Sequence, residues 1–327
     1  MDPTLEHILN LLFFPGGLFL LVLGLTYEWV DRKLVAKYQN RVGPRWFQPL
    51  ADIIKLLAKE EIVPDHVHRG LFLGLPIAAV AGALTAALYV PLLGLAPAFS
   101  FPGDLIVTIF LLGMMTLCLG LAGANTTDRF SLAGAARTLT QLFSYEAPFL
   151  LALLGPALVA GSWQISVITE YAQTHLWLVV PQAVGFVVAI IGLMGKLELP
   201  PFDAPEAETE IVGGALTEYS GRGLGLFRLG KDAELVIGLS LIAAFYLGGF
   251  NLALFGIDAG PVGNAILAIV LYVVKTLFLL LVVAGLQSLF ARLRIDQTVG
   301  LWWRWGALLV LAQWAVTMGL WAFGGLR

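Results

Sequence analysis

Long apolar runs dominate this chain, at about 11–30, 70–93, 104–124, 144–162, 176–195, 233–250, 262–289 and 302–323. A run of ~18 or more residues with few charges satisfies its own backbone hydrogen bonds as a helix and can cross a bilayer. The runs predict an all-α integral membrane protein with eight transmembrane helices. Composition agrees, at 59% hydrophobic and 13% charged residues, where a soluble domain carries roughly 25% charged. The start, "MDPTLEH", is acidic where a signal peptide would be basic, so the first run is expected to remain as a span.

The connections set the orientation. Arg32, Lys33, Lys37, Arg41, Arg45, Lys55, Lys59 and Arg69 lie between runs 1 and 2, and Arg129 and Arg137 between 3 and 4. Lys196, Arg222, Arg228 and Lys231 lie between 5 and 6, and Arg292 and Arg294 between 7 and 8. The connections 94–103, 163–175 and 251–261 and the N-terminal segment have no Lys or Arg. This alternation predicts a multi-pass protein of the cell membrane, with large cytoplasmic loops and both termini outside. An even number of spans preserves it.

Two inside loops carry their own pattern. In "WFQPLADIIKLLAKEEIVP", Leu50, Ile53, Ile54, Leu57 and Ala58 recur at helical spacing, with Asp52, Lys55 and Lys59 on the other face. That predicts an amphipathic interfacial helix at about 46–60. The loop at about 196–231 is rich in Gly, Pro and acids, and too long for an idle connection. No repeat or separate soluble domain is visible, so residues 1–327 read as one transmembrane domain.

Four His and the single Cys118 exclude an iron–sulfur or thiolate-bound metal site within this chain. His66 and His68 read as solvated loop residues, a weak metal contact being the alternative. Neither metal nor cofactor is expected here, and no nucleic-acid partner. Lys275, deep in run 7, should face a polar interior and an acidic partner, because a lysine at membrane depth is costly; snorkelling to an interface is the bland alternative. Glu146 is the first candidate partner, competing with a role as interfacial anchor. Glu28 and Asp31 close run 1 beside Arg32 and Lys33, where local ion pairing is an alternative to function.

The densest charge is "PPFDAPEAETEIVGG", with Asp203, Glu206, Glu208 and Glu210 within eight positions. Asp203 suits a helix N-cap, and acids in a first turn suit the helix dipole. Capping leaves Glu208 and Glu210 unexplained. Glu206 and Glu210, four apart on a helix, would share a face and repel, and clustered carboxylates raise one another's pKa. The stretch reads as a proton-handling site.

Together with "DRKLVAKYQNRVGP" (31–44), "LADIIKLLAKEEIVP" (50–64), "LTQLFSYE" (139–146) and "VVKTLFLLL", the extended stretch "PPFDAPEAETEIVGGALTEYSG" (200–221) resembles the signatures of subunit 1 of respiratory complex I. That family includes the membrane subunits of energy-converting group 4 NiFe hydrogenases. The motifs follow family order from end to end. The resemblance implies eight tilted helices beneath a peripheral electron-transfer arm, with Asp203, Glu206, Glu208 and Glu210 linking redox chemistry to proton movement. Glu146 and Lys275 would continue that path, and Asp31, Arg32, Arg41, Asp52, Lys55 and Lys59 would line the cavity entrance and the arm contact.

In one respect the chain departs from quinone-reducing members: "GPRWFQPLAD" lacks their longer Gly-rich insertion, and "EWVDRKL" replaces the common "GERR". Both features resemble the membrane-bound hydrogenase and sulfane-reductase branch. The resemblance implies a non-catalytic coupling subunit of a ferredoxin-driven, H⁺- or Na⁺-pumping complex. Its partners would be NiFe-hydrogenase-like large and small subunits, an iron–sulfur subunit and antiporter-like membrane subunits. The alternative is the quinone-chamber subunit of a complex I-type dehydrogenase. A stand-alone transporter would be expected to show two related halves, and none is visible.

Overall fold

The computed structural model describes residues 9–176, 180–250 and 260–322, and within them every regular element is helical. In chain order these are α1 (Gly17–Tyr38), α2 (Gln48–Ala58), α3 (Arg69–Ala87), α4 (Asp104–Ala124), α5 (Arg129–Ala160) and α6 (Ile165–Thr174). Then follow α7 (Ala183–Lys196), α8 (Glu208–Ile211), α9 (Gly221–Tyr246), α10 (Gly260–Leu289), α11 (Ile295–Leu301) and α12 (Ala307–Ala322). Single 3-10 turns, Ala204–Glu206 and Gly214–Leu216, flank α8.

Each of the eight expected runs holds a helix. Five stretches are long and apolar enough to cross a membrane: Leu9–Tyr38, which contains α1, then α3, α4, α5, and Val262–Leu289 of α10. Helix α7 is apolar but has 14 residues. The chain ends and most of the 251–261 connection lie outside the described residues.

Helix α9 is central. It packs against α1, α2, α3 and α10, and each residue from Ala233 to Tyr246 is buried. A helix apolar on all sides must be surrounded by others, which the sequence from Leu235 onward satisfies. Its first half is different, carrying Arg228, Lys231, Asp232 and Glu234. These charges therefore enter the bundle with it. Side-chain hydrogen bonds hold its neighbours in register: Ser240 with Tyr272 (2.8 Å) and Tyr246 to the Ala152 carbonyl (2.5 Å).

Three expected boundaries change. Asp128 accepts hydrogen bonds from the Phe130 and Ser131 amides, so α5 starts there and not near 144. At 32 residues it is about 48 Å long, and Arg129 and Arg137 ride on it instead of lying in a loop. Lys196 ends α7 and Arg222, Arg228 and Lys231 belong to α9, so the acidic loop contracts to 197–220. The expected 163–175 connection contains α6.

The amphipathic helix appears as α2. Ile53 is buried, while Leu50, Ile54 and Leu57 are exposed together with Trp46 and Phe47. An apolar face turned outward beside a polar one suits the bilayer interface.

Candidate functional site

Loop 197–220 is pinned from two sides. From α5, the Gln141 side-chain amide donates to the carbonyls of Gly195 (2.9 Å) and Phe202 (2.8 Å), and Arg137 donates to that of Ala204 (3.2 Å). From beyond α10, the Leu293 amide donates to the Pro201 carbonyl (2.9 Å) and Arg292 to the Asp203 carboxylate (2.5 Å). Asp203 makes no side-chain cap to the turn that follows it. The expected N-cap is therefore replaced by an ion pair, because a 3-10 turn of three residues presents no α-helical N-terminus.

So held, the loop walls a cavity of 710 Å³ against α1 and α9. Seven carboxylates line it: Glu28, Asp31, Glu198, Asp203, Glu206, Glu208 and Asp232. Four cations face them, Arg32, Arg228, Lys231 and Arg292, and Leu199, Leu216, Leu224 and Phe227 form an apolar flank. Of the expected entrance residues, Asp31 and Arg32 line the cavity, and Asp52 pairs with Arg32 (3.3 Å). Arg32 also pairs with Glu28, as the local alternative anticipated. Arg41, Lys55 and Lys59 are exposed and are not part of the lining.

The acids of the loop do not confront one another. Glu206 bonds Lys231, and Glu210 bonds Arg137 at 2.7 Å. The expected Glu206–Glu210 repulsion is thus answered by separate cations, since Glu206 lies in the 3-10 turn and Glu210 in α8. Glu208 lines the cavity.

Lys231 also bonds Glu198 at 2.7 Å, and Glu198 accepts from Thr138 at 3.1 Å. One ammonium therefore bridges two carboxylates. Burial pushes the Glu198 carboxyl above its ordinary value, and Lys231 only partly offsets it. Burial acts the same way on Glu206, but there Lys231 and Arg228 outweigh it and hold the carboxyl below its ordinary value. Environments that drive two neighbouring carboxyls apart leave one ionised and the other ready to carry a proton.

A second group of the same composition lies deeper. Lys196, whose side chain is fully buried, donates to Glu146 at 3.2 Å and lies 4.0 Å from Glu234. It also sits over the rings of Tyr145 and Phe149, at 5.6 and 5.8 Å.

Glu146 is thus paired with Lys196 and not with Lys275. Lys275 instead donates to the carbonyls of Leu247 (2.7 Å) and Gly249 (2.6 Å) at the end of α9. Among the described residues no carboxylate lies within 4.0 Å of it to form an ion pair. The carbonyls ending a helix carry partial negative charge and can stabilise an ammonium without a carboxylate.

Sequence reasoning passed over Glu198, Asp232 and Glu234, and counted Lys196 and Lys231 only as orientation signals. The available cue was "LGKDAELV", where three charges within four residues open an apolar run.

The chain is similar to known proteins along most of its length. The chain is 33% identical over 317 residues to a subunit of the NADH-quinone oxidoreductase of Carboxydothermus hydrogenoformans, covering 94% of this chain and 88% of that protein. It is 31% identical over 325 residues to a subunit of the F(420)H(2) dehydrogenase of Methanosarcina mazei, covering 91% and 89%. In fold it resembles a chain of the membrane-bound sulfane sulfur reductase, an archaeal respiratory membrane complex, with a TM-score of 0.82, 23% identity and coverage of 97% and 99%. The family model described as NADH dehydrogenase matches residues 11–318. By that match and by its curated relatives, the chain belongs to the NADH dehydrogenase family, that of complex I subunit 1.

Proposed function

We propose that this chain is the membrane-anchoring coupling subunit of a multisubunit, redox-driven ion pump. It crosses the membrane eight times as one domain, with loops 39–68 and 197–220 on the cytoplasmic side and both termini outside. Peripheral iron–sulfur subunits transfer the electrons, and antiporter-like membrane subunits share the ion movement. The observation that carries this reading is the 710 Å³ cavity, whose acids continue through Lys231 and Glu198 toward the buried Glu234 and Lys196 and the half-buried Glu146. Charges are costly at that depth unless paired, and such residues mark ion pathways. In this role Asp203, Glu206 and Glu208 sense the redox event at the cavity, and Glu210, paired with Arg137, links their loop to α5. Glu146 carries protons onward, and Lys275 fixes the far end of α9 against α10.

The short 41–50 segment favours a ferredoxin-dependent hydrogenase-type complex with a NiFe partner subunit. The quinone-reducing alternative gains support from the names of the curated relatives and from the cavity, which has an apolar flank and falls within the roughly 300–1,000 Å³ of small-molecule sites. Quinone extracted with the purified complex, or inhibition by quinone-site inhibitors, would decide for that alternative.

The coupling role is tested in vesicles containing the complete complex. Glu206→Gln, Glu208→Gln and Glu210→Gln complexes should assemble but show impaired ion uptake and slower electron transfer to the physiological acceptor. The detached peripheral arm should keep its activity with an artificial carrier. Wild-type pumping by all three would reduce the acidic stretch to a solvated loop.

A further inference from the structure

Glu234 lies at the core of the bundle, 1% exposed, and neither of its carboxyl oxygens has a hydrogen-bond partner within the protein. A buried carboxylate without hydrogen bonds is costly, by far more than a neutral acid. Its surroundings are not neutral. Lys196 at the end of α7 is 4.0 Å away and already hydrogen-bonded to Glu146 of α5 at 3.2 Å. Lys231 on the same helix, Glu198 in the loop and Tyr145 of α5 also lie within its electrostatic reach. With both acids ionised, Glu146, Lys196 and Glu234 carry a net charge of about −1, which one proton cancels.

We propose that Glu234 is a proton-binding site of the relay, exchanging its proton with Glu146 through the Lys196 ammonium. This rests on the coupling role proposed above and names the transported ion at this station. In loading, an O–H bond of hydronium from the aqueous side breaks and one forms on Glu234, which leaves the group neutral, with Lys196 held by the Glu146 carboxylate. In transfer, a Lys196 N–H bond breaks as its proton joins Glu146. The Glu234 O–H bond breaks as its proton replaces the one Lys196 lost. The ammonium is regenerated, Glu234 becomes the carboxylate facing it, and the total charge is unchanged. The site takes a proton in preference to Na⁺, because a metal cation among these carboxylates would sit against the fixed charge of Lys196.

The test is redox-induced infrared difference spectroscopy on the complete complex in lipid vesicles, paired with ion-uptake measurements. The wild type should show a carboxylic-acid C=O band that changes on electron transfer, shifts in D₂O and is the same in Na⁺ and K⁺ media. Glu234→Gln should abolish that band and slow ion uptake roughly a hundredfold, the lower range of what a positioned proton-transfer group contributes. An unchanged band with wild-type uptake overturns the proposal, as does a band that responds to Na⁺ and not to D₂O. Should Glu234→Gln fail to assemble, Glu234→Asp retains a carboxyl and is expected to move the band; an unmoved band is equally fatal. If the loop variants at 206, 208 and 210 uncouple while Glu234→Gln pumps normally, the coupling role stands and this assignment falls. Normal pumping in all four removes both.

Discussion

Replacing Lys231 with methionine is expected to be the most destabilising single change at the site. Lys231 bridges Glu198 and Glu206, and the Glu198 side chain is only 1% exposed. Removing one partner of a buried pair leaves an uncompensated charge, at a cost of about 3–5 kcal/mol. Glu206 is 41% exposed toward the cavity and should contribute little of that. The double variant Lys231→Met with Glu198→Gln should recover a substantial part, because the residue left unpaired is then neutral. Thermal denaturation of the detergent-solubilised complex reads both, and additive losses would show that the pair is not coupled. A pH dependence accompanies this. Lys231 holds the Glu206 carboxyl below its ordinary value. Its stabilisation is therefore present above the ordinary carboxylate range and lost as pH falls through the depressed value. In Lys231→Met the depression is removed, and this acid-side loss of stability should shrink or vanish.

The second large effect is expected at Gly214, where the acidic loop meets α5. Its φ is +53°, and a Cβ would stand 1.9 Å from the Pro205 carbonyl oxygen. Facing it, a Cβ on Gly134 of α5 would come within 2.3 Å of the Ala215 amide nitrogen. Loop and helix thus touch backbone to backbone, and no flexible side chain can yield. Gly214→Ala combines a left-handed backbone, about 1–2 kcal/mol, with overpacking of about 1–3 kcal/mol. The clash lies within the loop, between 205 and 214, so the loop should refold locally and loosen the Arg137 contacts to Ala204 and Glu210 that tie it to α5. Limited proteolysis of the solubilised complex should then cleave within 197–220, where the wild type resists. Resistance equal to wild type would mean that the close approach of Gly214 to Pro205 does not hold the loop in shape.

Much of the fold was legible from local chemistry. Run length and apolarity predicted a helix in each of eight places, because a helix satisfies its backbone within one segment whatever surrounds it. The spacing of Leu50, Ile53, Ile54 and Leu57 located α2, and the charge density at 203–210 located the cavity wall. The ordered motifs indicated the family. Helix ends were less legible, since polar residues such as Arg137 and Gln141 look like loop yet extend α5 and tie down its neighbours.

Apart from the local Glu28–Arg32 pair, tertiary structure alone decided which charges meet. Lys196 and Glu146 are 50 residues apart, Lys231 and Glu198 are 33, and Arg292 and Asp203 are 89. Nothing in their local spacing announces these pairs. Lys275 and Glu146 each looked in need of a partner, and pairing them was the simplest guess. The fold instead offered Lys275 the terminal carbonyls of α9 and gave Glu146 to Lys196. Electrostatic energy depends on distance and on exclusion of water, and both are set by packing between helices, not by sequence position.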